Sequence, residues 1–205
     1  MTTLEGLHFI EPAEFRKSAI TLVDAFQDDP VWNAIFKDVA PSQLEAFFES
    51  PIRYCHTYGK VCAPSRNLEG IMAWVPGEYA EMTLWRMIRS GAIWPGMKMG
   101  YQPSQLLQQV FRTIDLDRKN HMGSRPYFYL NIIGVAQKHQ GQGFGSLLLK
   151  SLIEISQQDQ VPIYLETETE ENVQLYQHFG FSVIQKATLP TIDLPMWEMI
   201  REVDA

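Results

Sequence analysis

Only two of the 205 residues are cysteine, Cys55 and Cys62, with six residues between them. That pair builds no disulfide framework and fits no metal-ligand spacing, and it suits a reducing, cytoplasmic compartment. Positive charge is the scarcer sign: 17 Lys and Arg against 24 Asp and Glu give 17 − 24 = −7. Holding DNA or RNA by its phosphates needs clustered positive charge, so no nucleic-acid partner is expected. No apolar run approaches the roughly 18 residues of a membrane span, and no membrane partner is expected. The start, MTTLEGLHFIEP, has neither the basic n-region nor the apolar core of a signal peptide. Repeats, low-complexity tracts and an obvious linker are also missing. What is present is ordinary for a globular protein: 45% hydrophobic and 20% charged residues. A chain of this length suits one domain, here 1–205, with a core large enough to need no staples.

Residues 6–10 read as a short strand. From Glu11 a helical pattern places Phe15, Ala19, Val23 and Phe26 on one face, with Pro12 near its start and Asp28-Asp29-Pro30 stopping it. A second helical pattern covers 42–58 through Leu44, Phe47, Phe48 and Cys55, and Pro51 is expected to kink or divide it. Strands at 60–63 and 69–75 flank an exposed turn. Residues 80–120 return to helix, with Leu106, Leu107, Val110, Phe111 and Ile114 as an apolar stripe. The run 127–135, YFYLNIIGV, suits a central strand covered on both faces. A helix then faces the core with Leu148, Leu149, Leu152 and Ile155, and 162–166 is a second buried strand. Strand–helix–strand of this length implies parallel pairing by a right-handed crossover. A short helix over 172–179 ends at Gly180, and strands follow around 182–188 and 195–201.

The sharpest feature is Gln140-Gly141-Gln142-Gly143-Phe144-Gly145-Ser146, between the central strand and its helix. Three glycines let the backbone approach a ligand closely, and the N–H groups at a helix start suit a phosphate or pyrophosphate. An acidic protein can bind an anion this way, and Lys138 and His139 add local positive charge. A P-loop is set aside because no Lys-Ser or Lys-Thr follows. A Rossmann fingerprint is set aside because the spacing is G-Q-G-F-G-S, with no room behind it for a full dinucleotide domain. The remaining pattern is [Q/R]-x-x-G-x-[G/A], matched by Gln140, Gly143 and Gly145.

In that pattern the chain resembles the GNAT family of N-acetyltransferases. The later run IYLETETEENVQLYQHFGF resembles the family's following motif, in which an Asn, a Tyr and a terminal Gly-Phe recur. The Asn172-x-x-x-Tyr176 spacing, the opening AFQDDPVW and the closing Met-Trp segment look most like the puromycin-acetyltransferase-type branch. The chain departs from the family at Gln137, where members often have Pro, and in an Asn-to-Tyr spacing shorter than in many members. The resemblance implies an α+β GNAT fold: a mixed central sheet of about six to seven strands flanked by helices on both faces. It places the acetyl-CoA-binding core at about 127–181 and acceptor-side helices at about 11–58 and 77–122. It implies acetyl-CoA as cosubstrate and no metal. Pantetheine would add like a strand to Ile133, Gly134 and Val135, with Gly134 removing a side chain where the cofactor lies close. Pyrophosphate would sit on the amides of Gln140, Gly141, Gln142, Gly143, Phe144, Gly145 and Ser146, and a strand amide near Val135 would polarise the acetyl carbonyl.

Asn172 and Tyr176 share a helix face, so Tyr176 can protonate the departing thiolate while Asn172 orients the pantetheine arm. The alternative for Tyr176 is an aromatic packed on the sheet. An amine acceptor must lose a proton before it attacks. Glu166, at the end of the second parallel strand, is the first candidate base, with Glu168 and Asp29 behind it. Glu168, Glu170 and Glu171 also read as a solvated charge run before a helix. His121, His139 and His178 read as surface or packing residues. Met82, Trp85, Met87, Trp94, Met97, Met99 and Tyr101 read as core packing, or as a lid for an apolar or bulky amine. The expected activity is acetyl transfer to a primary amine of a small molecule, by a monomer or homodimer. The alternatives are a non-catalytic acyl-CoA-binding module and acetylation of a peptide or protein amine.

Overall fold

The apolar run 128–135 becomes the middle strand of a sheet. The computed structural model describes residues 6–36, 39–99, 101–189 and 192–203. Among them, seven strands form one mixed sheet: β1 (His8–Phe9), β2 (Lys60–Ala63), β3 (Gly70–Pro76), β4 (Phe128–Val135), β5 (Ile163–Thr167), β6 (Ser182–Leu189) and β7 (Leu194–Arg201). Their spatial order is β1-β2-β3-β4-β5-β7-β6. The β4–β5 pair is parallel and the other pairs are antiparallel.

Helices cover both faces. On one lie α1 (Phe15–Ala25), α2 (Pro30–Phe36), α3 (Pro41–Tyr58) and α6 (Tyr101–Met122), over a core that includes Leu22, Phe48, Ile52, Ile114 and Tyr164. Between α3 and α6 run the short helices α4 (Leu84–Ser90) and α5 (Ile93–Gly96). On the other face α7 (Phe144–Asp159) and α8 (Glu170–His178) close a second core through Leu148, Leu149, Leu152, Leu165 and Met199. The strand periodicity explains the division: successive β5 residues point to opposite faces, so Tyr164 joins the first core and Leu165 the second.

Four expectations are corrected. Pro51 does not divide the second helix, because α3 runs unbroken from Pro41 to Tyr58. The helix is pinned on both sides of the proline by fully buried residues, Phe48 before it and Ile52 and Cys55 after it. Asp28-Asp29-Pro30 is a restart as well as a stop: Asp29 Oδ1 accepts from the Trp32 N–H at 3.1 Å and caps α2, which opens on Pro30. Trp85, Trp94 and Met97 are not core residues; Trp85 is 70% exposed and the other two nearly as open. Met82 and Met87 do pack on the core, while the side chains of Met99 and Tyr101 lie outside the described residues. Phe111, placed in the α6 stripe, is exposed, whereas Leu107, Val110 and Ile114 are buried.

Candidate active site

Strands β4 and β5 pair at only two positions, Phe128↔Ile163 and Tyr129↔Tyr164. Past Tyr129, β4 continues along β3 to Val135, while β5 continues along β7. The two parallel strands therefore part, and among the described residues no strand pairs with 130–135 of β4 on that side. Within this stretch the β3 register slips: Ala73 pairs with Ile132 and Trp74 with Leu130, leaving Asn131 as an extra residue. Such a bulge turns main-chain groups out of the ladder at the mouth of the opening. It has no recognisable sequence signal beyond a lone polar residue in an apolar strand.

The glycine turn follows directly. Gly141 (φ +73°) and Gly143 (φ +87°) adopt the left-handed conformation that glycine favours. A Cβ on either would meet nothing within 4 Å, so the space beside them is open to a ligand. Among the described residues, the N–H groups of Gly141 to Ser146 have no hydrogen-bond acceptor. The three in the first turn of α7 are orphaned by helix geometry and sit at the positive dipole end. Gln140 anchors the turn through its side-chain N–H to the Val135 carbonyl at 3.2 Å. Gln137 uses what a proline lacks: its backbone N–H donates to Asp24 Oδ2 at 2.7 Å, and its side chain donates to Asp28 Oδ2 at 2.7 Å.

Gly134 has a different reason from the one inferred from sequence. A Cβ there would lie 2.9 Å from Phe26 Cε2, 3.0 Å from Ala25 Cβ and 3.2 Å from Leu22 Cδ2. The missing side chain makes room for helix α1 and the residue that follows it. Ile133 and Val135 are half-buried beside it.

Helix α8 is capped by Thr169, whose hydroxyl accepts from the Asn172 N–H at 3.2 Å. Tyr176, one turn on, is buried and meets Phe181 edge-on. Its hydroxyl has no protein hydrogen bond among the described residues, yet it is not sealed. Burial raises its pKa, and the charge of Glu168 adds to the rise. Glu170 and Glu171 are exposed in the first turn of the helix.

Glu166 faces the opposite core. It lies 3.5 Å from the Arg118 guanidinium of α6, and Tyr129 and Tyr164 stand near enough to favour its charged form. Burial pushes its pKa up to about 7, against the opposing pull of Arg118. Arg118 is 2% exposed, also pairs with Asp115, lies over the Tyr129 ring and stays protonated. Glu168 is pushed up to about 8 by burial, then by the charges of Asp29 and Glu166. The opening thus joins two environments: Tyr176 with the glycine turn on the α7 side, and Glu166 with a buried arginine on the α6 side. Glu168 is within electrostatic reach of both Tyr176 and Glu166. His121 is not a loose surface residue, since its Nδ1 lies 2.7 Å from Glu198 Oε2. Arg118, Tyr129, Tyr164 and Glu198 were missed from sequence; the available signal was a lone acid inside each of two apolar strands, PIYLET and LPMWEMIR. Among the described residues no three His, Cys, Asp or Glu side chains are grouped to hold a metal, and no helix is long and apolar enough to cross a membrane.

Comparison with known proteins agrees with this geometry. Residues 105–181 match the model of the acetyltransferase (GNAT) family. An uncharacterized N-acetyltransferase of Schizosaccharomyces pombe is 30% identical, over 94% of this chain and 81% of that protein. The chain belongs to the GNAT acetyltransferase family. Solved structures with the same fold include one described as histone acetyltransferase HPA2 and related acetyltransferase from Corynebacterium glutamicum, at 19% identity and TM-score 0.63 over 97% of this chain and 96% of that one. A Drosophila melanogaster polyamine N-acetyltransferase, which forms N-acetylagmatine, aligns at 9% identity and TM-score 0.62 over 96% of this chain and 99% of its own.

Proposed function

We propose that this protein transfers the acetyl group of acetyl-CoA to a primary amine of a small-molecule acceptor by direct attack. The observation that carries the reading is the unpaired edge of β4 running straight into a turn whose amides have no acceptor. The edge fits an extended amide-bearing arm, as in strand addition, and the turn fits a diphosphate. Acetyl-CoA supplies an activated thioester. The protein's part is to place it, take a proton from the incoming ammonium and give one to the leaving sulfur.

An alkylammonium near pKa ~10 must be deprotonated before it can attack, and a base is most effective when its pKa lies near the working pH. Glu166 at about 7 meets that condition. Asp29 and the ionised form of Glu166 on the acceptor side, with a net charge of −7, favour a cationic amine. The polyamine specificity of the Drosophila neighbour is in keeping with that chemistry. Tyr176 is the proposed acid toward the thiolate and Asn172 the proposed guide of the pantetheine arm. The spacing of these two residues is also what supports a puromycin-acetyltransferase-type placement.

Calorimetry with acetyl-CoA and release of free CoA thiol on a panel of primary amines test the reading. Tyr176→Phe is expected to bind acetyl-CoA as the wild type does and to lose about 100-fold or more in kcat. Acetyl-CoA binding without turnover on any amine would leave a non-catalytic binding module instead.

A further inference from the structure

Glu198 of β7 is a buried acid that the mechanism above leaves unused. It is 0% exposed and sits directly opposite Glu166 in the β5–β7 register. Like charges facing each other across a sheet destabilise it, so this placement needs a reason. Glu198 Oε2 accepts from the Tyr164 hydroxyl at 2.7 Å and lies 2.7 Å from His121 Nδ1, while its Oε1 is sealed with no protein partner. Tyr164 lies two residues from Glu166 on the same face of β5, close enough to bear on its pKa. Tyr164, Glu198 and His121 are thus hydrogen-bonded in series, with Glu166 beside Tyr164 and opposite Glu198 at the inner end and the His121 side chain 30% exposed at the outer end. The other branch, through Arg118 to Asp115, ends in a guanidinium that does not release its proton.

The reaction stoichiometry calls for such a line. At neutral pH the acceptor enters as an ammonium and leaves as a neutral amide, while CoA leaves as a thiol. The N–C bond forms, the C–S bond breaks and nitrogen gives up two protons. One ends on sulfur by way of Tyr176, and the other must reach water. We propose that Tyr164, Glu198 and His121 are a proton exit that carries the ammonium proton from Glu166 to solvent, an inference that rests on the acetyl-transfer reading. Glu166, once protonated, donates to the Tyr164 oxygen, and the Tyr164 proton moves along its bond to Glu198. Glu198 passes a proton to His121 Nδ1, and the ring gives one up to water at Nε2. Facing Glu166 are Arg118 and Asp115 from α6, Tyr127 just before β4, Tyr129 on β4, Tyr164 on β5, Glu168 just past its end and Glu198 on β7.

His121→Gln keeps a hydrogen-bonding side chain but cannot relay a proton. With acetyl-CoA and either spermidine or phenethylamine as probes, it is expected to lose about tenfold or more in kcat near neutral pH, with unchanged KM for acetyl-CoA, and to be rescued by added imidazole. Tyr164→Phe interrupts the line in its middle and is not expected to be rescued. A second measurement needs no turnover: the His121 ring resonance, followed across about pH 5–9, should carry an inflection from Glu166 that Glu166→Gln and Tyr164→Phe both remove. An unaltered titration curve in both variants, with fully active His121→Gln, overturns the exit alone. No CoA release by the wild type on either amine overturns the acetyl-transfer reading, and the exit role falls with it.

Discussion

Substituting Gly134 by alanine separates two reasons for a glycine in the middle of an opened strand. Carbon atoms pack best at about 3.5–4.0 Å. A Cβ at Gly134 would find Phe26, Ala25 and Leu22 at 2.9, 3.0 and 3.2 Å, all on the strand's α1 side. Ala25 Cβ is fixed to the helix backbone, and α1 is held down by the buried Phe15, Ala19 and Leu22. The helix must therefore lift by several tenths of an ångström. Overpacking of this kind costs about 1–3 kcal/mol, and replacing a glycine at ordinary φ returns about 0.5–1 kcal/mol through the unfolded chain. The net expectation is a loss of about 1–2 kcal/mol, or about 2–8 °C in Tm for a chain of this size. Thermal unfolding by circular dichroism reads it. Phe26→Leu removes the nearest clashing atom, Cε2, so the Gly134→Ala, Phe26→Leu pair should lose less than the two single changes added together. The steric reasoning is refuted if Gly134→Ala melts with the wild type while its affinity for acetyl-CoA drops sharply, for then the missing side chain serves the ligand.

The remaining predictions concern charge and capping. Glu166 and Glu168 have folded-state pKa values of about 7 and about 8, above the ordinary 4.5. The folded state therefore holds more protons than the unfolded one between those limits. Their contribution to stability is full at low pH and is lost as pH rises through 7 to 8, at up to about 1.4 kcal/mol per pH unit for each group. Glu168→Gln should flatten that decline in denaturant titrations made at successive pH values, and a wild-type-like slope would show that Glu168 is not the cause. Thr169→Ala removes the hydroxyl that accepts from the Asn172 N–H and should cost about 1 kcal/mol. Hydrogen exchange should show the loss as fraying confined to the first turn of α8, with Asn172 affected before Tyr176.

What could be read in the sequence was whatever is written locally. The strand 128–135, the glycine turn and the stripe Leu148, Leu149, Leu152 form one continuous stretch, and its periodicity and turn chemistry agree. The charge network could not be read in this way. Arg118 and Glu166 are 48 residues apart, and His121 and Glu198 are 77 apart. Asp115, Arg118 and His121 recur every third residue along α6, as any solvated face does, and nothing local says that β5 and β7 lie beneath them. Gly134 shows the same limit in another form. A glycine in a strand signals a close approach, but only the fold shows that the approaching group is Phe26 of a helix more than a hundred residues earlier. Trp85 and Trp94 went wrong for a related reason: hydrophobicity ranks a residue's preference for burial, but α4 and α5 are too short to bury every side.

The arrangement of acids carries one more step. Two carboxyls are held where burial raises both of them, and a third, Glu198, faces the first with one oxygen unpartnered. Replacing such groups with apolar residues or amides of similar shape is often neutral or stabilising, so stability alone does not account for them. Glu166 and Glu198 lie on the α6 side of the sheet, whereas the unfilled amides of 141–146 lead into α7 on the other. A chain of net charge −7 thus offers main-chain dipoles suited to an anion at one end of the β4–β5 gap and buried acids whose deprotonated forms suit a cation at the other, without the two charge patterns cancelling. The parting of the two strands after Tyr129 and Tyr164 is what lets these separate fields meet, and that is the geometry the proposed direct transfer requires.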